Sequence, residues 1–343
     1  MIMNIVTYLM SLVSIGGIVA YEWFMTGRED ASLLFVLLFW TAVGQGIFAL
    51  CTAVELGLGK WFLPIREKML RFYPILFVFP ACFLLMFRHV SVYPWHDTQP
   101  NRWLAPDFFM MRNIVALLLP FLFATIYSWV VVRKSKQTAF WAIMYIFSFV
   151  TCQSLLAFDW VMSFEHPWVS TLFGPYFFIE SMYSGIALTA LVGVLLYRRY
   201  GQKFESALRD TVTLLLGFAV FWGGLFFAQF LTIWYGNIPE EVIVIEKRLN
   251  DPILGKIIVA VLLCLLAIPF LTMLSRQNKI RLPPVILVSF AVFSGIILER
   301  FFFLRPVMTM LPNTIAIEWL ILSLPFLTVI FGILREEGKA NHA

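Results

Sequence analysis

Between Phe158 and Glu180 the chain sets Asp159, Glu165, His166, Tyr176 and Glu180 among Trp, Phe, Pro and Gly, in otherwise apolar surroundings. Ionisable groups are expensive beside hydrocarbon, so acids and a histidine between two membrane-length segments point to a site at the membrane surface. The chemistry they could do is proton transfer. Histidine titrates near neutral pH and can take a proton from a quinol or relay it outward, and a carboxylate can do the same. Asp159 and His166 are thus the candidate proton acceptors. Asp159 equally suits pairing with a nearby Lys or Arg, and Glu165 suits either role.

Glu180 is a different case. It sits about nine residues into its hydrophobic segment, within hydrocarbon depth at about 1.5 Å rise per residue. An ionised glutamate cannot face lipid there, so Glu180 must face the helix bundle, be protonated or be paired. Tyr176 and Ser184 lie four residues to either side on the same helical face, with Tyr183 at the next spacing. That stripe suits a quinone-pocket wall or a proton wire, and also a structural, hydrogen-bonded acid. His96 and Asp97 stand in a second aromatic connection, Tyr93-Pro-Trp-His-Asp-Thr-Gln-Pro-Asn-Arg-Trp103. This reads as a lid over a proton exit, or as an interfacial loop with Tyr93, Trp95 and Trp103 in the aromatic belt and Pro94 and Pro100 stiffening the turn.

The elements that must hold these groups are helices in a membrane. The sequence is 61% hydrophobic and 13% charged with mean hydropathy +0.87, far from the balance of a soluble domain. Runs of spanning length recur along it, without the alternation of an outer-membrane barrel. Ten spans are expected, at roughly 3–25, 32–55, 72–90, 112–132, 138–158, 171–197, 210–235, 254–274, 283–303 and 315–334. They form a single all-α polytopic membrane domain, since the longest connections are only about twenty residues. The first run has neither a basic flank before it nor a small-residue cleavage site after it, and reads as a retained helix.

Basic residues set the expected orientation. Lys60, Arg66, Lys68 and Arg71, then Arg133, Lys134 and Lys136, then Arg198, Arg199, Lys203 and Arg209, and finally Arg276, Lys279 and Arg281 follow spans two, four, six and eight. The other side mixes bases with acids, as in Glu240, Glu241, Glu246, Lys247, Arg248 and Asp251. The positive-inside rule then places both termini in the cytoplasm and His166 on the periplasmic side of a bacterial inner membrane. The net charge of +5 follows from this bias and needs no nucleic-acid partner.

Cys51, Cys82, Cys152 and Cys264 form no CxxC, CxxCH or close pair, and His89, His96, His166 and His342 fall outside span centres. No iron–sulfur, haem or zinc motif is present, and no nucleotide or hydrolase motif either. Any electrons must therefore pass to another chain. Glu55 reads as a surface ion pair or the inner mouth of a proton path. Gly44-Gln-Gly46 is a packing signal, because small residues permit close helix contact. Glu299 and Arg300 point in different directions on a helix, so each needs a partner elsewhere.

Asp159-Trp-Val-Met-Ser-Phe-Glu-His-Pro-Trp-Val-Ser-Thr-Leu-Phe-Gly-Pro-Tyr176 resembles the signature of the polysulfide-reductase-like (NrfD/PsrC-like) membrane subunits of alternative complex III. So do Gln229-Phe-Leu-Thr-Ile-Trp-Tyr-Gly-Asn-Ile-Pro-Glu-Glu241 and Pro269-Phe-Leu-Thr-Met-Leu-Ser-Arg-Gln-Asn-Lys279. The second motif is most similar to the ActF-like branch, whereas Glu299-Arg-Phe301 looks more like the quinol-binding ActC-like branch. The resemblance implies two four-helix bundles plus two further helices. It implies a membrane subunit of a quinol:cytochrome c oxidoreductase that contributes a quinone site, a proton path or both. Its partners would be other membrane subunits, a periplasmic iron–sulfur subunit and haem c subunits, which hold the metals. The alternative is a scaffold or proton-conducting subunit of such a complex that binds no quinone. An independent transporter fits less well, since no paired interrupted segments occur in corresponding halves.

Overall fold

The computed structural model describes residues 2–27, 30–98, 101–306 and 312–340; Pro100, His342 and the Glu240 side chain lie outside what it describes. The chain is helical, with no strand among the described residues. Its helices are α1 (Ile2–Phe24), α2 (Ser32–Leu56), α3 (Lys60–Val92), α4 (Pro106–Val132), α5 (Thr138–Glu165) and α6 (Phe173–Tyr200). They continue as α7 (Glu205–Gly236), α8 (Pro239–Leu249), α9 (Pro252–Met273), α10 (Leu282–Leu304) and α11 (Pro312–Ala340). Nine apolar runs among the described residues are long enough to cross a membrane. The longest, Phe173–Gly236, is two helices that reverse at Gly201, whose φ of 75° suits glycine. The protein is an all-α polytopic membrane protein of about ten spans.

Packing divides the spans into groups. Helices α2 to α5 pack together, α6, α7, α9 and α10 pack together, and α1 pairs with α11. The centre is α2 against α6, and α2 is buried from Ser32 to Thr52 except at Trp40. Glycine permits this contact. A Cβ on Gly46 would stand 1.8 Å from the Ser181 carbonyl oxygen, and one on Gly185 would stand 2.1 Å from the Gly46 carbonyl carbon. Around the crossing, Ser181 Oγ donates to the Ala42 carbonyl at 2.8 Å and Tyr145 Oη to that of Gln45 at 2.7 Å. Gln153 Nε2 donates to Gln45 Oε1 at 2.9 Å, so the polar side chains of α2 and α5 satisfy one another.

Several elements differ from the hydropathy reading, each for a local reason. Helix α3 starts at Lys60, so the basic residues to Arg71 are helical rather than loop. It winds as a 3-10 helix over Leu70–Phe77, where Pro74 removes a backbone donor. Helix α4 begins at Pro106, which needs no partner for its missing N–H at a first helical position. Helix α5 runs on to Glu165 through a π turn at Ala157–Val161 and a 3-10 turn, so Asp159 and Glu165 are helical and only His166 begins the loop.

Between α7 and α9, where sequence showed a polar connection, lies the short helix α8. It starts with Pro239 after Asn237 takes the left-handed conformation (φ 46°) that ends α7. Asp251 then caps α9, accepting from the backbone N–H of Ile253 at 2.8 Å and Leu254 at 3.2 Å. Within α9, Pro269 cannot donate to the Leu265 carbonyl four residues earlier. That carbonyl lies in a π turn, Leu263–Ala267, and accepts from Tyr183 Oη at 3.1 Å instead.

Candidate functional site

Glu180 on α6 and Arg300 on α10 meet at the heart of the second helix group, 0% and 1% exposed, with Oε2 and Nη2 2.5 Å apart. Trp222 Nε1 on α7 donates to the other carboxylate oxygen at 3.0 Å. The Arg300 guanidinium also lies over the Phe177 ring, 3.7 Å from its centre. An isolated charge here would cost several kcal/mol, on the order given for ions moved from water into a protein interior, so the two must stand or fall together. Glu180 is thus a paired acid facing the bundle.

The neighbouring acid is less well provided for. Glu299 is 1% exposed and its Oε1 accepts from Tyr176 Oη. Its Oε2 has no hydrogen-bond donor, because Arg300 Nη1 stands 3.6 Å away, beyond bonding reach. Arg300 Nη1 and Nε are also unpartnered. Buried polar atoms are normally satisfied, and Glu299 Oε2 and Arg300 Nη1 instead face one another as an ion pair longer than a hydrogen bond.

Glu299 and Tyr176 look into a cavity of about 360 Å³. Its walls are Phe173, Phe226, Phe230, Ile233, Phe302 and Phe303 from α6, α7 and α10, closed by Val244, Ile245 and Leu249 of α8. The polar groups are few: Glu299, Tyr176, Gln229, Glu165, Arg248 and the Trp168 indole. An apolar chamber with a small convergent set of donors and acceptors is the usual form of a small-molecule site. Its chemistry suits a flat, amphipathic ring bearing oxygen.

Arg248 fastens the α8 wall of the chamber. Spaced at 244, 245, 248 and 249, the lining residues of α8 form one helical face. Arg248 Nη2 bonds Glu165 Oε1 and the Phe303 carbonyl at 2.8 Å each, Nε reaches the Phe302 carbonyl at 3.2 Å, and Nη1 the Val244 carbonyl at 2.7 Å. One side chain thereby ties α8 to the end of α5 and fills the orphan carbonyls at the end of α10. Burial pulls its guanidinium below the usual arginine range, and the Glu165 charge opposes that pull. A second tie, Ser170 Oγ to Gln229 Oε1 at 2.7 Å, fastens the loop after α5 to α7.

Asp159 belongs to another network. Its Oδ2 accepts from Arg112 Nε at 2.9 Å and from Asn113 Nδ2 at 2.7 Å, and its Oδ1 from Trp103 Nε1 at 3.2 Å. Trp160 Nε1 donates to Asn113 Oδ1 at 2.9 Å, and Arg112 stacks on the Trp103 ring at 3.8 Å. Each Asp159 oxygen is occupied. His166 is exposed, and His96, one-third exposed, contacts Asp97 at 2.9 Å. None of Asp159, His166 and His96 lines the cavity, and Glu180 stands behind Glu299. Of the sequence candidates, Tyr176 and Glu180 come together, and Tyr176 and Glu165 reach the chamber. Ser184 and Tyr183 bond backbone carbonyls, at Ser181 and Leu265. Tyr93 and Trp95 are buried, not in the interfacial belt: Trp95 bonds Ser163 at 3.1 Å and Tyr93 stacks on Phe164. Glu55 is in an ion pair with Arg66.

Sequence reading missed Arg248 and Gln229 as site groups and missed Glu299 as the acid that looks into the chamber. Arg248 sat among acids and bases resembling a solvated turn, and only the spacing of Val244, Ile245, Arg248 and Leu249 could have shown a buried face. No protein-family model matches the chain, and no curated protein matches it.

Proposed function

We propose that this chain is the quinone-binding membrane subunit of a multi-subunit quinol:cytochrome c oxidoreductase in a bacterial inner membrane, with both termini cytoplasmic. The observation that carries the reading is the apolar chamber whose polar end is formed by Glu299 and Tyr176, the Tyr176 hydroxyl donating to Glu299 Oε1. A quinol hydroxyl seated there would donate to the Glu299 carboxylate, whose Oε1 Tyr176 holds in place. Oxidation of a quinol releases two protons and two electrons. Glu299 is positioned to take a proton, and the electrons go to an iron–sulfur partner outside this chain, then to haem c. The sequence resemblance to the NrfD-like subunits supports the same assignment.

Charge supports it too. The one positive charge of Arg300 faces both Glu180 and Glu299, so the cluster is neutral when one of the two carboxyls carries a proton. The apolar walls exclude water and strengthen each hydrogen bond made inside. Binding of a quinone analogue to the purified complex tests the reading. Glu299→Gln and Tyr176→Phe are expected to weaken it about tenfold, the scale of a hydrogen bond to a charged group. His166→Ala should leave it unchanged. Equal affinity in all three variants would leave the chain as a scaffold that binds no quinone.

A further inference from the structure

A second cluster of buried ionisable groups lies where α1, α3 and α11 meet, and none of these helices lines the chamber. Glu22 on α1, His89 on α3 and Glu318 on α11 are 2%, 0% and 0% exposed. His89 Nε2 stands 2.9 Å from Glu22 Oε2, and Thr26 Oγ1 donates to the same oxygen at 2.5 Å. The Glu318 carboxyl faces that of Glu22. Neither Glu318 oxygen has a hydrogen-bond partner among the described residues, and His89 Nδ1 has none either, while Nε2 meets Glu22 as an ion-pair contact. Two carboxyls facing one another in a buried site disfavour double ionisation, so one proton is held by the pair.

We infer that Glu22, Glu318 and His89 form a proton-binding site, distinct from the chamber, in which the two glutamates share one exchangeable proton beside the His89 ring. With that proton one glutamate is a carboxylic acid and the other a carboxylate. Its loss breaks the acid O–H bond and leaves two carboxylates side by side. Such a set responds to the proton supply at its end of the molecule. Two other titratable groups face it. Asp30 stands on the short connection before α2, 6% exposed and with Oδ2 unpartnered, and is the step toward the surface. Cys82 faces the acids from α3. The Arg88 guanidinium is turned instead to the carbonyls of Trp23 and Thr26, at 3.2 and 2.9 Å, which fixes the end of α1. No group of three His, Cys, Asp or Glu among the described residues is spaced to hold a metal ion. The site stands whether or not the chamber takes a quinone.

Infrared difference spectra of the full chain in lipid, taken between mildly acidic and mildly alkaline pH in water and in heavy water, test it. A deuterium-sensitive carboxylic-acid band is expected to titrate in the unaltered protein and to be lost in Glu318→Gln. Thr26→Val removes a hydrogen bond but no ionisable group, and should shift the band. If Glu318→Gln does not fold, Glu22→Gln takes its place and should remove the shared-proton band in the same way. A band that persists unchanged in the folded Gln variant and in Thr26→Val, or that does not titrate in the unaltered protein, overturns the proposal.

Discussion

A residue is defined here by what its partners leave undone. Asp159 and Glu299 are both acids, 1% exposed, near the same end of the molecule. Arg112, Asn113 and Trp103 occupy the oxygens of the first, whereas one oxygen of the second has no hydrogen bond and meets only Arg300, at 3.6 Å. Opposite consequences follow. Asp159→Asn leaves Arg112 without its counter-charge, and should cost stability on the order of 3–5 kcal/mol, the scale of breaking a buried pair. A drop in melting temperature of the purified protein checks this, and the fraction that remains folded should bind a quinone analogue normally. Glu299→Gln should do the reverse, weakening binding with little loss of melting temperature. His166→Ala is expected to change stability by less than about 0.5 kcal/mol, as for an exposed side chain.

At the scale of the element, the chamber depends on α8 and on one helix crossing. Arg248→Met keeps the bulk of the side chain but removes three hydrogen bonds that fasten α8 to α5 and α10, and one within α8. Hydrogen exchange of the α8 amides should then rise while that of α2 stays fixed, and analogue affinity should fall with it. Gly46→Leu would drive a side chain into the backbone of α6, since even a Cβ overlaps the Ser181 carbonyl. Loss of folded protein is the expected outcome, read as aggregation on size-exclusion chromatography. Sequence foresaw part of this. Hydropathy located the membrane helices, and Gly44-Gln-Gly46 announced close packing, because both signals are local. Helix α8 escaped notice because its exposed face is charged, and the partner of Glu180 escaped because Arg300 lies 120 residues away. The Glu22, His89 and Glu318 meeting was invisible for the same reason: three separate helices end there. The π turn that keeps Asp159 helical depends on tertiary partners and has no sequence signal of its own.

Over the whole molecule, the end carrying His166 bears the chamber, the Asp159 network and the proton site, while the other end carries the basic connections. Helix α5 lies between them, so cysteines introduced as Val169→Cys and Ser135→Cys in a background without the native cysteines should react with an impermeant thiol reagent from opposite faces of sealed vesicles. Labelling of both from one face would contradict the membrane arrangement. The reading as an oxidoreductase subunit needs partners, and gentle extraction from native membranes should bring iron–sulfur and haem c chains along. The most direct measurement is photo-crosslinking of a quinone bearing a photoreactive group to the assembled complex, followed by peptide mapping of this chain. Label is expected on α6, α7 and α10 around Tyr176, Phe226 and Phe302, and to be displaced by unlabelled quinone; label confined to other surfaces, or no displaceable label, would contradict a quinone site in the chamber.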